Sequence, residues 1–211
     1  MIVELIKEGT SPDPIKAMAI AASKCYDSKP TEGLVDRALQ SGHTSIAEHA
    51  KFEFNIKGVS RVATHQLVRK RIGFSYAQRS QRYCNEENFD YVLPSTIKES
   101  KYKERYVEIM KELSSFYSDM VSSDIPKEDA RFVLPNANHT TLILSNNMRS
   151  LMDFCKVRMC KRAQWEIREL AYLIKKEVKN HFPFVAKHLK PNCKLLGYCP
   201  EGIHSCKGEE K

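Results

Sequence analysis

"RKRIGFSYAQRSQRY", residues 69–83, holds five cations (Arg69, Lys70, Arg71, Arg79 and Arg82), two tyrosines, one phenylalanine and no acid. A solvated helix face normally mixes signs, because like charges three or four residues apart repel. The segment therefore reads as a landing place for an anion, either a nucleic-acid backbone or the phosphates of small molecules. Just upstream, Ser60 caps "SRVATHQLVRKRIG", a helix expected to end near Gly73. That would put Arg69, Lys70 and Arg71 in its last turn, where the negative end of the helix dipole favours cations. Downstream, Ser75, Tyr76, Gln78, Arg79, Ser80, Gln81 and Arg82 offer hydroxyls, amides and guanidinium forks. Arg engages a phosphate ester through two parallel hydrogen bonds. A solvated basic loop is the plain alternative.

The bulk numbers frame this segment. At 211 residues, 42% hydrophobic and 28% charged, the chain has the make-up of an ordinary folded domain. Its net charge of +8 implies an anionic partner without saying which. The opening "MIVELIKEG" meets charge at Glu4 and lacks the apolar core of a secretory leader. The longest uncharged run, 132–148, is broken by Pro135 and four asparagines, so no bilayer span is expected. Seven scattered cysteines, an odd number, suit reduced thiols in a cytoplasm. Cys193, Cys199 and Cys206 crowd the end with His204, but no CxxC pair exists and the spacings are irregular, so no metal is expected.

Along the chain, Ser11 or Asp13 caps a helix over 14–25 with Pro14 in its first turn, and Thr31 caps a second one stopped by Gly42. "KFEFNIKG" alternates as a half-buried strand, with Phe52, Phe54 and Ile56 on one side. The long helix lies near 100–122, where Tyr102, Tyr106, Ile109, Leu113, Phe116 and Met120 form one apolar stripe, read as core. "PKEDARFV" makes a short helix ended by Pro135, and "HTTLILSN" an apolar strand. "MRSLMDFCKVR" and "RAQWEIRELAYLIKKEVKNHF" are helical, the second burying Trp165, Leu170, Ile174 and Val178. With no repeat and no composition break, the simplest reading is one α+β domain at 1–190 and a Cys-containing tail at 191–211.

Two further constellations add to the basic segment. In "NNMRSLMDFCKVRMCKRAQWEIRE", Arg149 and Asp153 are four apart, as are Arg162 and Glu166; such pairs usually decorate a surface helix. Arg158 differs, since Phe154, Lys161 and Arg162 are its helical neighbours and none is an acid. An Arg without a local partner suits an outside anion. "SGHTSIAEHAKFEF" groups His43, Ser45, Glu48 and His49 ahead of a strand, but without the HExxH spacing of a zinc pair. No GxSxG elbow, P-loop or GxGxxG turn is present.

Taken together, these segments resemble the flavin-dependent thymidylate synthase family. Its members carry an Arg-His-Arg triplet followed by Ser-x-Arg-Tyr, which stands here as Arg69-Lys70-Arg71 and Ser80-Gln81-Arg82-Tyr83. "GHTSIAEHAKFEF" upstream and "EDARFVLP", "NNMRSLMDFCKVR" and "RAQWEI" downstream keep the family order, from about residue 10 to 185. The tail is not covered. The resemblance implies a central, mostly antiparallel twisted sheet flanked by helices, in a homotetramer whose active sites form between subunits. It implies reductive methylation of dUMP to dTMP, with methylenetetrahydrofolate supplying the carbon and FAD, reduced by NADPH, supplying the hydride. The partners would then be small molecules, neither nucleic acid nor membrane.

By the same resemblance, Ser45, Arg69, Lys70, Arg71, Asn147, Arg149 and Asp153 would contact FAD, with Gln78 between flavin and nucleotide. Gln66, Arg69, Gln78, Arg79, Ser80, Gln81, Arg82 and Arg131 would hold dUMP, the phosphate mainly by Arg82, Arg131 and the Ser80 region. Arg158 would be catalytic at the uracil ring, and His43 and Arg162 would line the flavin and folate region. Three features depart from the family pattern. Lys70 replaces the histidine, Phe74 is an extra spacer residue, and Gln78 stands where an acid is common. Two other readings compete: a basic nucleic-acid-binding module with Tyr76 and Tyr83 as stacking platforms, and a nucleotide-binding relative without turnover.

Overall fold

The computed structural model describes residues 1–206. Four strands form one open, antiparallel sheet in the order β1-β2-β4-β3: β1 (Ile2–Leu5), β2 (Lys51–Ser60), β3 (Phe74–Gln78) and β4 (His139–Asn147). The alternation in β2 is what makes it a strand. Phe52, Phe54 and Ile56 are fully buried while Lys51 and Lys57 face water. β4 answers with Leu142 and Leu144 on the same face, Phe54 opposite Leu144. Burying each of these side chains contributes about 1.5–3 kcal/mol.

Helices α1 (Pro14–Tyr26), α2 (Glu32–Gln40), α3 (Arg61–Leu67), α5 (Met148–Arg158) and α6 (Trp165–His181) supply apolar residues to this core. The caps on the first two hold as expected, with the Asp13 carboxylate accepting from Lys16 N and the Thr31 hydroxyl from Leu34 N. The long helix α4 (Lys103–Ser122) lies at the expected place but outside that core. It packs against the short turns Lys127–Ala130 and Arg131–Val133, burying Met110 and Tyr117. Its predicted stripe is therefore only partly inside: Tyr102 and Phe116 are 62% and 53% exposed. Only short segments, Ser95–Lys98 and 86–92 among them, cover the helix, so its six apolar positions are not all enclosed.

Three further expectations need correction. β1 and β3 were not foreseen. β1 is only four residues long, and β3 begins inside the basic segment, where charge masks the alternation of Phe74, Tyr76 and Gln78. α3 ends at Leu67, so Arg69, Lys70 and Arg71 lie in the loop beyond it, not in its last turn. The Tyr76 hydroxyl sits at this end, its one proton shared between the carbonyls of Lys70 (2.5 Å) and Leu67 (2.9 Å), and takes up acceptors the helix would otherwise use. Trp165 is 39% exposed rather than buried, since it is the first residue of α6; Ile167 takes the inward place beside Leu170, Ile174 and Val178.

The predicted ion pairs along the helices also change. Arg149 binds Glu48 (2.5 Å) rather than Asp153, and Asp153 pairs with Lys156 (2.9 Å). Arg162 pairs with Glu201 (3.0 Å), because Glu166 is drawn into the interior. There it accepts from Ser60 N (2.7 Å) and from the Ser60 hydroxyl (2.5 Å), which itself caps α3 through Ala63 N.

Burial lowers the pKa of His139 and of His188, the latter also facing Lys187, Asp36 and Lys190. The folded chain thus favours both imidazoles neutral. Their stabilisation is present above the ordinary histidine value of about 6.5 and is lost as pH falls toward the depressed values. Thermal melts are expected to show Tm falling between pH 7.5 and 5.5, and replacing His188 with Gln should flatten that slope.

Candidate functional site

The cations fall into two groups at opposite ends of β4. At its start, Arg79 N donates to the Thr141 carbonyl at 2.9 Å, and the chain then turns through Ser80, Gln81 and Arg82. The Arg82 guanidinium meets the Glu128 carboxylate (Nε to Oε2, 2.5 Å). Arg131 Nε donates to the Glu128 carbonyl at 3.0 Å. The turn after α4 thus supplies Glu128, whose carboxylate holds Arg82 and whose backbone carbonyl holds Arg131. Both partners of the Arg82–Glu128 pair are about half exposed, and such pairs contribute about 0–1 kcal/mol. A phosphate dianion would compete with that carboxylate on favourable terms.

Arg79 has another task. Its guanidinium binds the buried Glu86 carboxylate (3.0 Å) and the Asn85 carbonyl (2.8 Å), and Glu86 also accepts from Asn138 Nδ2 (3.2 Å). This anchors the Ser80 turn from behind, and the Ser80 hydroxyl in turn accepts from Arg82 N at 3.2 Å. Arg61 donates to the Arg79 carbonyl (3.0 Å). Its pKa is lowered by burial, with Glu86 opposing and Arg131 adding to the shift. Gln78 Nε2 reaches Thr64 (3.2 Å) and Thr140 (3.3 Å), so its amide points between α3 and β4. Gln66 is half-buried on α3.

The second group surrounds the start of α5. Asn147 caps it, accepting from Ser150 N at 2.9 Å, while the Ser150 hydroxyl donates to the Ile72 carbonyl at 2.9 Å. Gly73, at φ +70°, lets the basic loop lie directly on this helix end. Lys70 approaches Asp153 (3.9 Å), Arg149 holds Glu48, and Ser45 sits in the same Thr44–His49 turn as Glu48. Arg71 is exposed and forms no ion pair among the described residues, and Arg69 contacts His65 at 3.4 Å. Cations around the amino end of an eleven-residue helix suit a diphosphate. On that donor set the residues present fit the pyrophosphate of a flavin dinucleotide.

Arg158 ends α5, half-buried, with no acid paired to it among the described residues. No hydrogen bond or ion pair joins it to Arg82, Arg131 or Glu128 among the described residues. Asn147, which caps α5, lies about 20 Å along β4 from Thr141. Among the described residues no three metal-binding side chains come together, the cysteine-rich end as far as Cys206 included. No helix there is long and apolar enough to cross a membrane. Tyr76, bound to two backbone carbonyls, is not a free stacking platform. Sequence reasoning missed Glu128, Glu86 and Arg61. Glu128 lay inside the block "EDARFVLP" without a role, and nothing in the local pattern marks Glu86 as buried.

Fold and site together define a basic α+β domain that presents cations at both ends of one central strand. A family model described as "Thymidylate synthase complementing protein" matches residues 4–184. A flavin-dependent thymidylate synthase of Geobacter sulfurreducens is 41% identical over 93% of this chain and 90% of its own length. Those of Pyrococcus furiosus (45%, over 78% and 71%) and Clostridium tetani (38%, over 93% and 90%) are similar too. The chain belongs to the flavin-dependent thymidylate synthase family.

Proposed function

We propose that this chain makes dTMP by reductive methylation of dUMP in the cytoplasm, with methylenetetrahydrofolate as carbon donor, FAD as cofactor and NADPH as reductant. The observation that carries this reading is the meeting of Arg82 and Arg131 at Glu128, beside the Ser80 turn. Both guanidinium groups are held by the same residue, and a nucleotide monophosphate calls for charge-assisted donors of this kind. Arg82, Arg131 and Ser80 bind the phosphate, Gln81 and Gln66 complete the dUMP contacts, and Arg79 holds their turn in place. Arg69, Lys70, Arg71, Asn147 and Arg149 bind FAD, with Ser45, Asp153 and Gln78 beside it. When bound, the flavin would supply the hydride.

Arg158 acts at the pyrimidine, where a fixed cation stabilises negative charge developing as C5 becomes nucleophilic. The complete site is shared between subunits of a homotetramer, with Arg158 meeting the phosphate-binding arginines of another chain. The decisive experiment is anaerobic turnover of dUMP with methylenetetrahydrofolate and NADPH, following dTMP and the release of tritium from C5. A colourless protein, or one that binds dUMP without either product, would contradict the reading. Arg82→Ala is expected to raise the KM for dUMP by about 10–100-fold, the scale of one lost charge-assisted bond, with flavin absorbance unchanged.

A further inference from the structure

The cysteine-bearing end of the chain has no part in either cation group. The short helix Asn192–Leu196 packs on α5 and stops at Gly197, whose φ of +75° reverses the chain. After Cys199 and Pro200 comes a second turn, Gly202–His204. It is closed by His204 N donating to the Glu201 carbonyl (3.0 Å) and Ser205 N to the Gly202 carbonyl (3.1 Å). Residues 201–206 thereby fold back onto Cys199.

Three donors meet the Cys199 sulfur: the Ser205 hydroxyl and the backbone N–H groups of Glu201 and Cys206. They hold its pKa below the ordinary thiol value, Ser205 contributing most, against the opposing effects of burial and the Glu201 charge. That charge is offset in turn by Arg162, which binds the Glu201 carboxylate at 3.0 Å. Cys155, by contrast, is fully buried with its thiol pushed up to about 12, and is inert. Cys199 and Cys206 are both free thiols and only half-buried, so a molecule as small as a peroxide reaches them. Disulfides span Cα separations of about 4.4–6.8 Å, and a sulfur touching the other residue's own amide is in that range.

We propose that Cys199 and Cys206 form a peroxide-sensitive modification site, in which Cys199 reacts first and Cys206 resolves it. The Cys199 thiolate attacks one oxygen of hydrogen peroxide. An S–O bond forms, the O–O bond breaks, and the departing hydroxide is protonated to water. Cys206 then gives up its proton and attacks the Cys199 sulfur; the S–S bond forms, the S–O bond breaks and a second water leaves. Two thiols are oxidised to one disulfide while one peroxide is reduced to two waters. The disulfide closes 199–206 into a ring around Glu201 and fixes the turn that holds Arg162. None of this depends on the reading of the nucleotide and flavin sites.

The test treats the reduced full chain with one equivalent of hydrogen peroxide, then with iodoacetamide in denaturant. Trypsin leaves both cysteines on one peptide, 195–207. That peptide is expected two hydrogens lighter and unalkylated, and restored by dithiothreitol, while Cys25, Cys84, Cys155, Cys160 and Cys193 are alkylated. Cys206→Ser should stop at the sulfenic acid, captured on Cys199 by dimedone. In that variant Cys199 is the only thiol on its peptide, and the pH midpoint of its alkylation in the folded protein should lie below the value of about 8.5 for free cysteine. Adding Ser205→Ala should raise the midpoint. The proposal is overturned if another cysteine is oxidised first, if dimedone does not label Cys199 in Cys206→Ser, or if Ser205→Ala leaves the midpoint in place. Stoichiometric zinc in the purified chain, lost in Cys199→Ser, would make the turn a metal ligand set and overturn it too.

Discussion

Arg158→Ala is expected to yield a folded, yellow protein whose kcat is lower by about 10²–10³-fold, the usual cost of removing one fixed donor from a developing charge. The residue ends α5, where a cation also interacts favourably with the helix dipole. That second contribution is small, so stability and flavin content should change little. Arg158→Lys separates charge from shape. It keeps the cation but loses the planar fork, and should recover part of the rate. Dithionite-reduced enzyme, dUMP and methylenetetrahydrofolate give the cleanest readout, since flavin reduction is then no longer part of the measured step. Methylation by the alanine variant at near the wild-type rate would remove Arg158 from the chemistry.

The second large effect is on the loop rather than the reaction. A Cβ on Gly73 would lie 2.0 Å from the Ser150 hydroxyl and 2.9 Å from Asn147 Nδ2, at a φ of +70°. The left-handed backbone costs about 1–2 kcal/mol for an L-residue, and displacing the Ser150–Ile72 bond adds to it. Gly73→Ala is therefore expected to destabilise by about 2–4 kcal/mol, lowering Tm by roughly 6–12 °C. Flavin should be lost in parallel, because Ile72, Asn147 and Ser150 together seat the basic loop on α5. Adding Ser150→Ala removes the closest clash but not the backbone strain. The double variant should regain part of the loss, and strict additivity of the two changes would show that the contact is not the cause.

What the amino-acid pattern disclosed, and what it hid, follows from where the information is stored. β2, β4, α1, α2, α5 and α6 were readable because their apolar spacing repeats over many residues and their caps are local. β1 and β3 were not, being short and stabilised by pairing with strands distant in sequence. The basic segment was seen as an anion site, yet its division into helix end, loop and strand depends on Tyr76 reaching back to Leu67 and Lys70. Helical spacing suggested Arg149–Asp153 and Arg162–Glu166, but Glu48, Ser60 and Glu201 intervene from elsewhere in the chain. Arg82 and Arg131 were named from the resemblance, whereas their common partner Glu128 needed coordinates.

β4 carries Thr140 and Thr141 beside the Ser80 turn at one end and delivers Asn147 to α5 at the other. It therefore works as a gauge block. Adding two residues to it would keep inward and outward side chains in phase, but would push the two anion-facing ends apart by about 7 Å. The spacer residue Phe74, by contrast, enters at the mouth of β3 and leaves that gauge untouched. Length variation in such a scaffold is free to gather in the loops, while the measuring strand has to stay the same size to keep its two cation groups at their present spacing.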